Sequence, residues 1–477
     1  MRNLISKYNT VIIIAFLSTF LGSAQVDRTS VPKTGPAPKI ELENPKEFKL
    51  DNGMKVLVVE NDVLPRVSYQ FQIDNNPILE GDKAGVSSLL SAMLGNGTTS
   101  ISKDKFNEEI DFMGASLNFG SQSAFASGLS RYAERIMQLM ADAAINPLFS
   151  EEEFEKEKAK LIENLKSNEK SVSANASRVR NALSYGKKHP YGELTTEETV
   201  KNVTFQDVKD YYNKYFKPNT AYLVIIGDMK TDQAKTLTKK YFGPWKASST
   251  PEIPLIEPNS NVENTQIAFV DMPNAVQSDI AITNNVKLKM NDKDYHAVLL
   301  ANFILGGGGA GYLYQNLRED KGYTYGASSG INASRYGTGR FIASTEVRNE
   351  VTDSAVVEAL KEIKRIRNEK VTKETLDIAK AKYAGSFVLA LERPQTIANY
   401  ALNIELNDLD EDFYKDYLKN INAVTIEDIQ RVANKYFRPE NSRIVIAGKG
   451  SEVIENLEKT GLPIVYYDRF ANKVEKP

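Results

Sequence analysis

Two periodicities of apolar positions run along the chain, and they predict both strands and helices. Residues 48–60 form two short apolar strands around Asn-Gly at positions 52–53, a dipeptide that favours a tight hairpin turn, and residues 67–73 alternate as a further strand. Ser150 precedes three glutamates and a long charged segment, which is typical of a capped helix N-terminus, and Thr372 begins a similar segment 222 residues later. The mixture of hairpins and long helices predicts the α+β class.

One segment of the sequence occurs twice. VTFQDV, KYFKP and VIIG within residues 203–227 return at the same spacing as VTIEDI, KYFRP and VIAG within residues 424–448, so that Thr204 corresponds to Thr425, 221 residues later. An offset close to half the chain indicates two tandem domains of one fold rather than a short-period solenoid. In each copy Val-Thr begins a helix, and a proline separates this helix from a short β-rich run that ends at glycine.

We therefore predict two tandem homologous domains, each a mainly antiparallel sheet with helices packed on one face. The predicted boundaries are an N-terminal domain over residues 45–243, a linker over residues 244–262 and a C-terminal domain over residues 263–470. The linker carries four prolines among serines and asparagines. Each half is long enough to bury a sizeable core.

The N-terminus carries the signals of export. Arg2 precedes an apolar run over residues 11–21 that is too short for a membrane span, and the small residues after the run end at Ala24. We predict a signal peptide over residues 1–24, a flexible leader over residues 25–44, and a bacterial periplasmic location in which the chain is soluble or peripherally associated. No later stretch is long and apolar enough to predict an integral membrane segment.

Composition narrows the classes of function. The 477 residues include 60 basic and 62 acidic side chains, a net charge of −2, so the chain lacks the basic footprint that is typical of nucleic-acid binding. The sequence contains no cysteine, which excludes a thiolate nucleophile, a cysteine metal site and a lipid-anchoring cysteine.

Several motifs resemble the insulinase/pitrilysin family of zinc peptidases, above all its short bacterial members and the mitochondrial processing peptidase subunits. The resemblance covers about residues 45–465, and its most specific part is LREDKGYTY at residues 317–325 after LGGG at residues 305–308. The other motifs are LDNGMKV at residues 50–56, AGVS at residues 84–87, MLGNGT at residues 93–98 and HPYG at residues 189–192.

The family signature is His-x-x-Glu-His on a helix. The resemblance implies that two histidines one turn apart bind zinc and that the glutamate acts as the general base. At the matching positions this chain has Ser88 and Ala92 in place of the histidines and Ser91 in place of the glutamate. Neutral hydroxyl groups do not make a stable zinc site, and serine is no general base near neutral pH. We therefore predict that the chain binds no metal of its own and is inactive alone as a peptidase.

A more distant glutamate completes the zinc ligands in the family. Glu163 is the candidate for this position, with possible residual metal binding, and Glu169 is its rival. The segment around Glu163 is rich in glutamate and lysine, which favours a solvated helix face over a metal ligand.

The other half of the family's active site is present. The resemblance implies an arginine and a tyrosine, seven positions apart, that hold the substrate and stabilise the oxyanion, and Arg318 and Tyr325 have this spacing. The glycines at residues 306–309 would let backbone approach a ligand closely.

These features predict the non-zinc, substrate-binding subunit of a heterodimeric metallopeptidase that acts on unfolded peptides. The partner would be a homologous chain that carries His-x-x-Glu-His and binds the zinc, and peptides would extend along a sheet edge. Two alternatives stay open, a catalytically inert scaffold and a peptide-binding protein of the same fold. A further alternative, cleavage by this chain alone, would need a metal arrangement without the family's ligands.

Other candidate chemistry is weaker. The sequence has two histidines, of which His189 is best explained by the shape of its Pro-Tyr-Gly loop, and His296 has no Glu-His partner. The glycine run lacks the Gly-Lys-Ser/Thr of a phosphate-binding loop. Neither Ser88 nor Ser91 lies in the Gly-x-Ser-x-Gly elbow of a serine hydrolase.

Overall fold

The computed structural model describes residues 45–477, so the predicted signal peptide and leader lie outside the described residues. Within that range two mixed sheets carry the two copies of the repeated fold. No helix among these residues is both long and apolar enough to span a membrane.

The strands of the first sheet are β1 (Lys46–Lys49), β2 (Lys55–Glu60), β3 (Arg66–Ile73), β4 (Ser116–Phe119), β5 (Ser123–Leu129) and β6 (Ala221–Gly227). Their spatial order is β1-β2-β6-β3-β5-β4, and β2 and β6 run parallel while the other neighbours run antiparallel. The predicted Asn-Gly turn joins β1 to β2, and Gly53 there has a φ of 93°. Every second side chain of β3 is buried, as its apolar alternation predicts.

The α-helices of the first half are α1 (Val86–Met93), α2 (Lys103–Phe112), α3 (Ala133–Ile145), α4 (Glu151–Asn168), α5 (Val172–Tyr185), α6 (Glu197–Asn202), α7 (Phe205–Tyr215) and α8 (Thr231–Tyr241). The side chain of Ser150 accepts a hydrogen bond from the backbone of Glu153 at the start of α4, which confirms the predicted cap. Most of these helices pack on one face of the first sheet, and their shared core includes Phe71, Met140 and Trp245.

The strands of the second sheet are β7 (Gln266–Asp271), β8 (Gln277–Val286), β9 (Ala327–Ile331), β10 (Gly339–Arg348), β11 (Arg443–Gly448), β12 (Ile464–Tyr467) and β13 (Lys473–Val474). Their spatial order is β13-β12-β7-β11-β8-β10-β9. β7 runs parallel to β11 and β12, and the remaining neighbours are antiparallel. Both sheets are therefore mainly antiparallel, as the sequence predicts.

The α-helices of the second half are α9 (Tyr295–Gly306), α10 (Tyr312–Tyr314), α11 (Thr352–Asn368), α12 (Lys373–Ala390), α13 (Pro394–Leu406), α14 (Tyr417–Ala423), α15 (Ile426–Tyr436) and α16 (Gly450–Glu458). A π-helical segment, Gln315–Asp320, continues α10. Short 3-10 turns occur at Gly81–Lys83, Ser130–Tyr132, Pro218–Thr220 and Asn349–Val351.

The repeat in the sequence is a repeat in the structure. The strand order β2-β6-β3-β5-β4 recurs as β7-β11-β8-β10-β9, with the same parallel and antiparallel pairs. The helices that begin at Val-Thr are α7 and α15, and each starts with a reciprocal capping box, Thr204 with Asp207 and Thr425 with Asp428. Two tandem copies of one α+β fold are confirmed.

Each sheet has a second face, and a helix of the other half covers part of it. α13 lays Ala398, Ala401 and Leu402 on strands β2 and β6 of the first sheet. α5 lays Ala176, Val179 and Ala182 on strands of the second sheet, among them β7 and β11. The sequence pattern predicts helices on one face only; it does not indicate this exchange, because burial by a segment more than 100 residues away leaves no local signal.

The predicted linker is held against both halves rather than free of them. Residues 246–262 form neither helix nor strand. The side-chain amide of Asn259 donates to the carbonyl of Leu183 at 3.1 Å, and that of Asn261 donates to the carbonyl of Asn285 at 3.0 Å. The linker therefore crosses the end of α5 and strand β8.

Candidate functional site

α1 carries the residues that stand at the zinc-motif positions. It buries Leu89 and Leu90 in the first core, which leaves Ser88 exposed and Ser91 and Ala92 half-buried. Positions i, i+3 and i+4 of a helix are neighbours, so these three residues share one face. The structure thus places them as the family frame implies.

This face of α1 lies beside the edge of the first sheet. The Ser91 hydroxyl donates to the carbonyl of Phe119 in β4 at 3.4 Å. Strand β4 pairs with β5 and with no other strand of residues 45–477. Gly95, directly after α1, has a φ of 77°, and a Cβ there would lie 2.8 Å from the Phe119 ring, so glycine allows this close approach.

The side chains on this face do not fit zinc. Two hydroxyl groups and a methyl group offer none of the imidazole, thiolate or carboxylate ligands that zinc prefers. Across the part of the chain that the structure describes, no group of three histidine, cysteine, aspartate or glutamate side chains is placed to hold a metal ion. No step through zinc can be derived for this chain.

The two candidates for the distal glutamate differ in their surroundings. Glu163 lies on α4, which packs against α1, and its side chain is exposed. Glu169 forms an ion pair with Arg469 at 3.2 Å, and its carbonyl accepts a hydrogen bond from the Asn175 side chain at 2.9 Å. Glu169 therefore joins the end of α4 to the C-terminal part of the chain, whereas Glu163 faces solvent as the charged-helix interpretation predicts.

The structure brings Arg318 and Tyr325 together. Arg318 lies in the π-helical segment after α10, and its guanidinium carbon is 5.0 Å from the centre of the Tyr325 ring. One guanidinium nitrogen also donates to the carbonyl of Thr324 at 3.2 Å. The Tyr325 side chain is otherwise open to solvent, because the residue is 84% exposed.

Thr324 fastens the loop that carries Tyr325. Its buried hydroxyl lies 2.6 Å from the carbonyl of Glu346 in β10 and 2.9 Å from that of Gly326, and it accepts a hydrogen bond from the Gly326 backbone at 3.0 Å. The loop backbone is thus held to the sheet while the tyrosine ring remains exposed. Thr324 lies inside the LREDKGYTY motif, but nothing in the motif alone separates a clamp from a spacer.

The glycine run serves internal packing in the first place. A Cβ at Gly306 would lie 2.2 Å from the backbone nitrogen of Ser329 in β9, so glycine lets α9 approach the edge strand of the second sheet. Asn302 and Ser329 add reciprocal side-chain to backbone hydrogen bonds of 3.2 and 3.1 Å. Gly308 adopts a φ of 109° and has open space around it.

The two histidines have structural surroundings. His189 Nδ1 accepts a hydrogen bond from the Tyr191 backbone at 3.0 Å, its ring stacks on Tyr185, and burial lowers its pKa. Burial also lowers the pKa of His296 to about 4, among the rings of Phe413 and Tyr417. Neither histidine joins the α1 face, and His189 shapes its loop as predicted.

Two separate groups of predicted site residues thus emerge. Ser88, Ser91 and Ala92 share a helix face in the first half, and Arg318 and Tyr325 share a loop in the second half. Within residues 45–477 no hydrogen bond or ion pair connects one group to the other. The arrangement offers an exposed phenol and a guanidinium, but it offers no general base.

Comparison with known proteins gives matches over most of the chain. Residues 56–194 match the family model described as Insulinase (Peptidase family M16), and residues 202–383 match the model described as Peptidase M16 inactive domain. The Uncharacterized zinc protease YmxG of Bacillus subtilis is 23% identical over 85% of this chain and 99% of its own. The Non-peptidase homolog YmxG of Helicobacter pylori is 22% identical over 80% of this chain and 88% of its own.

The fold is also similar to solved structures. A crystal structure of a peptidase M16 inactive domain from Pseudomonas fluorescens superposes with a TM-score of 0.77 at 22% identity, covering 85% of this chain and 98% of that one. This likeness concerns the fold alone.

Proposed function

Since the chain belongs to the insulinase family, peptidase family M16, we propose that it is the non-zinc, substrate-binding subunit of a heterodimeric metallopeptidase that acts on unfolded peptides. A homologous partner would carry His-x-x-Glu-His and bind the zinc. This chain would complete the partner's active site with Arg318 and Tyr325. A protein named a non-peptidase homologue among its relatives supports a role without zinc chemistry of its own.

The contact between Arg318 and Tyr325 carries this proposal. Arg318 stacks at 5.0 Å on the ring of Tyr325, which is 84% exposed, while Thr324 holds the intervening loop to β10. An exposed aromatic ring with a cation beneath it has no packing role to explain it. It is placed to meet a group from outside the chain.

The chemistry of the pair suits peptide hydrolysis by another chain's metal. Zinc on the partner would polarise the scissile carbonyl and activate water. The Tyr325 hydroxyl can donate to the carbonyl oxygen as negative charge develops there. The Arg318 guanidinium can donate two hydrogen bonds to backbone carbonyls of the peptide and hold it in place.

The edge of the first sheet offers a place for an extended peptide. β4 has its outer side free of any strand within residues 45–477, and Ser88 and Ser91 lie on the helix beside it. Main-chain hydrogen bonds to an edge strand are insensitive to sequence, so selection would favour flexible, unfolded chains.

The domain and localisation predictions form part of the same proposal. The chain would consist of an N-terminal domain over residues 45–243, a linker over 244–262 and a C-terminal domain over 263–470. The signal-like N-terminus supports export to a bacterial periplasm.

Reconstitution with the zinc-bearing homologue tests the proposal. The complex should cleave a labelled unfolded peptide, and Arg318→Ala or Tyr325→Phe should lower kcat by about 100-fold or more, as loss of an oxyanion donor does. Arg131 stacks on Tyr132 at 4.8 Å in the first half, so Arg131→Ala and Tyr132→Phe are matched controls that should retain activity.

Two results would contradict the proposal. If both second-half variants form the complex and retain full activity, the chain is an inert scaffold. If the chain alone binds peptide tightly but never associates with a zinc-bearing chain, it is a peptide-binding protein of the same fold.

A further inference from the structure

Two arginines on the second face of the second sheet have no carboxylate partner. Arg180 lies on α5 and Arg340 on β10, and both are half-buried. Burial lowers the pKa of both guanidiniums, and repulsion from Arg340 lowers that of Arg180 further, so the two cations are close neighbours. Across residues 45–477 no carboxylate oxygen lies within the 4.0 Å of an ion pair to either one.

The hydrogen bonds of these arginines leave donors unused. Arg340 donates to the side-chain oxygen of Asn181 at 2.8 Å and stacks on the Tyr185 ring at 5.3 Å. Arg180 donates to the Ser177 hydroxyl at 3.0 Å, and its Nε is buried without a partner. A guanidinium has five N–H donors, and an uncompensated buried charge is strongly unfavourable.

Asp279 is the carboxylate nearest to this pair, and it does not neutralise the pair. It lies on β8, directly opposite Glu346 of β10, and its Oδ1 is buried without a hydrogen-bond partner. Burial raises its pKa to about 6, although attraction from Arg180 opposes that shift. The site therefore keeps an excess of positive charge and unused donors.

The arginines stand at one end of an open strip of sheet. α5 packs on the second face of the sheet, where its core includes Val445 and Ala447 of β11. Farther along β10 on the same face, Ile342 and Ser344 are half-buried and Glu346 is exposed, whereas the residues between them are buried on the other face. The uncovered part of the strip thus runs away from Arg340.

The other end of the strip meets the Tyr325 loop. Ala327, two residues after Tyr325, pairs with Thr345 of β10, and Arg340 lies five positions before Thr345 on that strand. Five strand positions span about 17 Å. An extended peptide held at Tyr325 would reach Arg340 with its fifth or sixth residue, roughly, on the same rise per residue.

We propose that Arg180 and Arg340 bind a peptide carboxylate on the second face of the second sheet, five strand positions from the point where the Tyr325 loop joins β9. The inference rests on the proposed peptide-binding function and specifies its substrate class as peptides with a carboxylate near this distance from the reaction centre. Guanidinium groups recognise planar carboxylates by paired hydrogen bonds. Both a C-terminal carboxylate and an acidic side chain provide this group.

Peptide binding to the purified mature chain tests the inference without any partner. Three N-terminally labelled unfolded peptides of one sequence would be compared by fluorescence anisotropy: one with a free C-terminus, one amidated, and one amidated with an added glutamate. A C-terminal site predicts tight binding by the first peptide only, and a side-chain site predicts tight binding by the third as well. Amidation should raise Kd by about tenfold or more, the effect of losing one charge-assisted contact.

Variants locate the effect. Arg340→Gln should weaken binding of the carboxylate peptide to the level of the amide, and Arg340→Lys, which keeps the charge but loses the fork, should lie between them. Arg367 is also half-buried but is ion-paired with Glu440, so Arg367→Gln is a matched control that should leave the carboxylate preference unchanged. Circular dichroism would confirm that each variant folds.

Equal affinity of wild-type chain for carboxylate and amide peptides would overturn the inference, and Asp279 would then be the internal partner of Arg180. Absence of binding up to millimolar peptide would overturn it too, and neither result requires a folded variant. This outcome is distinguishable from failure of the proposed function. A carboxylate preference that depends on Arg340 can persist even if Arg318→Ala has no effect on a reconstituted complex.

Discussion

Leu402 of α13 covers the second face of the first sheet, and its truncation tests whether one half of the chain stabilises the other. The residue is 4% exposed and packs with Ala398 and Ala401 against Val224 and Ile226 of β6. Leu402→Ala removes three carbon atoms from this contact, worth about 2.4 kcal/mol at about 0.8 kcal/mol per buried carbon. A residual cavity adds to that loss, so we expect the free energy of unfolding to fall by about 3 kcal/mol.

The assay follows from the position of the single tryptophan. Trp245 is buried in the first half, with its ring centre 6.0 Å from Phe71 and 5.6 Å from Phe216. Its fluorescence during urea unfolding therefore reports the first core, although Leu402 belongs to the second half. The unfolding midpoint seen by Trp245 should shift to lower urea in Leu402→Ala.

Leu389 of α12 provides the matched control, because it is 63% exposed on a helix of the same half. Leu389→Ala should change stability by no more than about 0.5 kcal/mol. Equal midpoints for the two variants would refute the reasoning. So would a Leu402→Ala transition in which Trp245 keeps its wild-type midpoint, because α13 would then not stabilise the first sheet.

Two further predictions concern zinc and pH. After dialysis against a weak chelator, the mature chain should hold less than about 0.1 zinc per chain by atomic absorption, because Ser88, Ser91 and Ala92 offer no ligand set; a value near one would contradict the frame assigned to α1. The pKa of Asp279 is raised from 3.8 to about 6 in the folded chain, so its contribution to stability is present below about pH 4 and is lost as pH rises through 6. Relative to wild type, Asp279→Asn should therefore gain about 2 kcal/mol between pH 4.5 and pH 7.5 in paired urea titrations, and a constant difference would show that the folded pKa is not raised.

The elements of the fold could be predicted from local signals. The Asn-Gly turn, the alternation in β3 and the Thr204 and Thr425 caps each depend on a few neighbouring residues, and the structure has all of them. The repeat at 221 residues then predicted the second copy of the sheet from the first. What these signals did not predict was which helix covers the other face of each sheet, since α5 and α13 look locally like any half-apolar helix.

The candidate site divides in the same way. The loss of the zinc ligands at Ser88, Ser91 and Ala92 follows from residue identity alone, because no packing can turn hydroxyl and methyl groups into a general base and imidazole ligands. The spacing of Arg318 and Tyr325 suggested a joint role. Their stacking and the clamp by Thr324 depend on the π-helical segment and on β10, which the motif does not encode.

The sequence by itself determined the two-domain α+β fold, the family and the missing zinc chemistry, because periodicity, caps and residue types act within a few positions of the chain. Only the tertiary structure decided that helices cross between the halves and that Arg180 meets Arg340 without a carboxylate to balance them. Contacts between residues so far apart in sequence depend on the packing of whole sheets and helices. No local pattern in the amino-acid sequence records that packing.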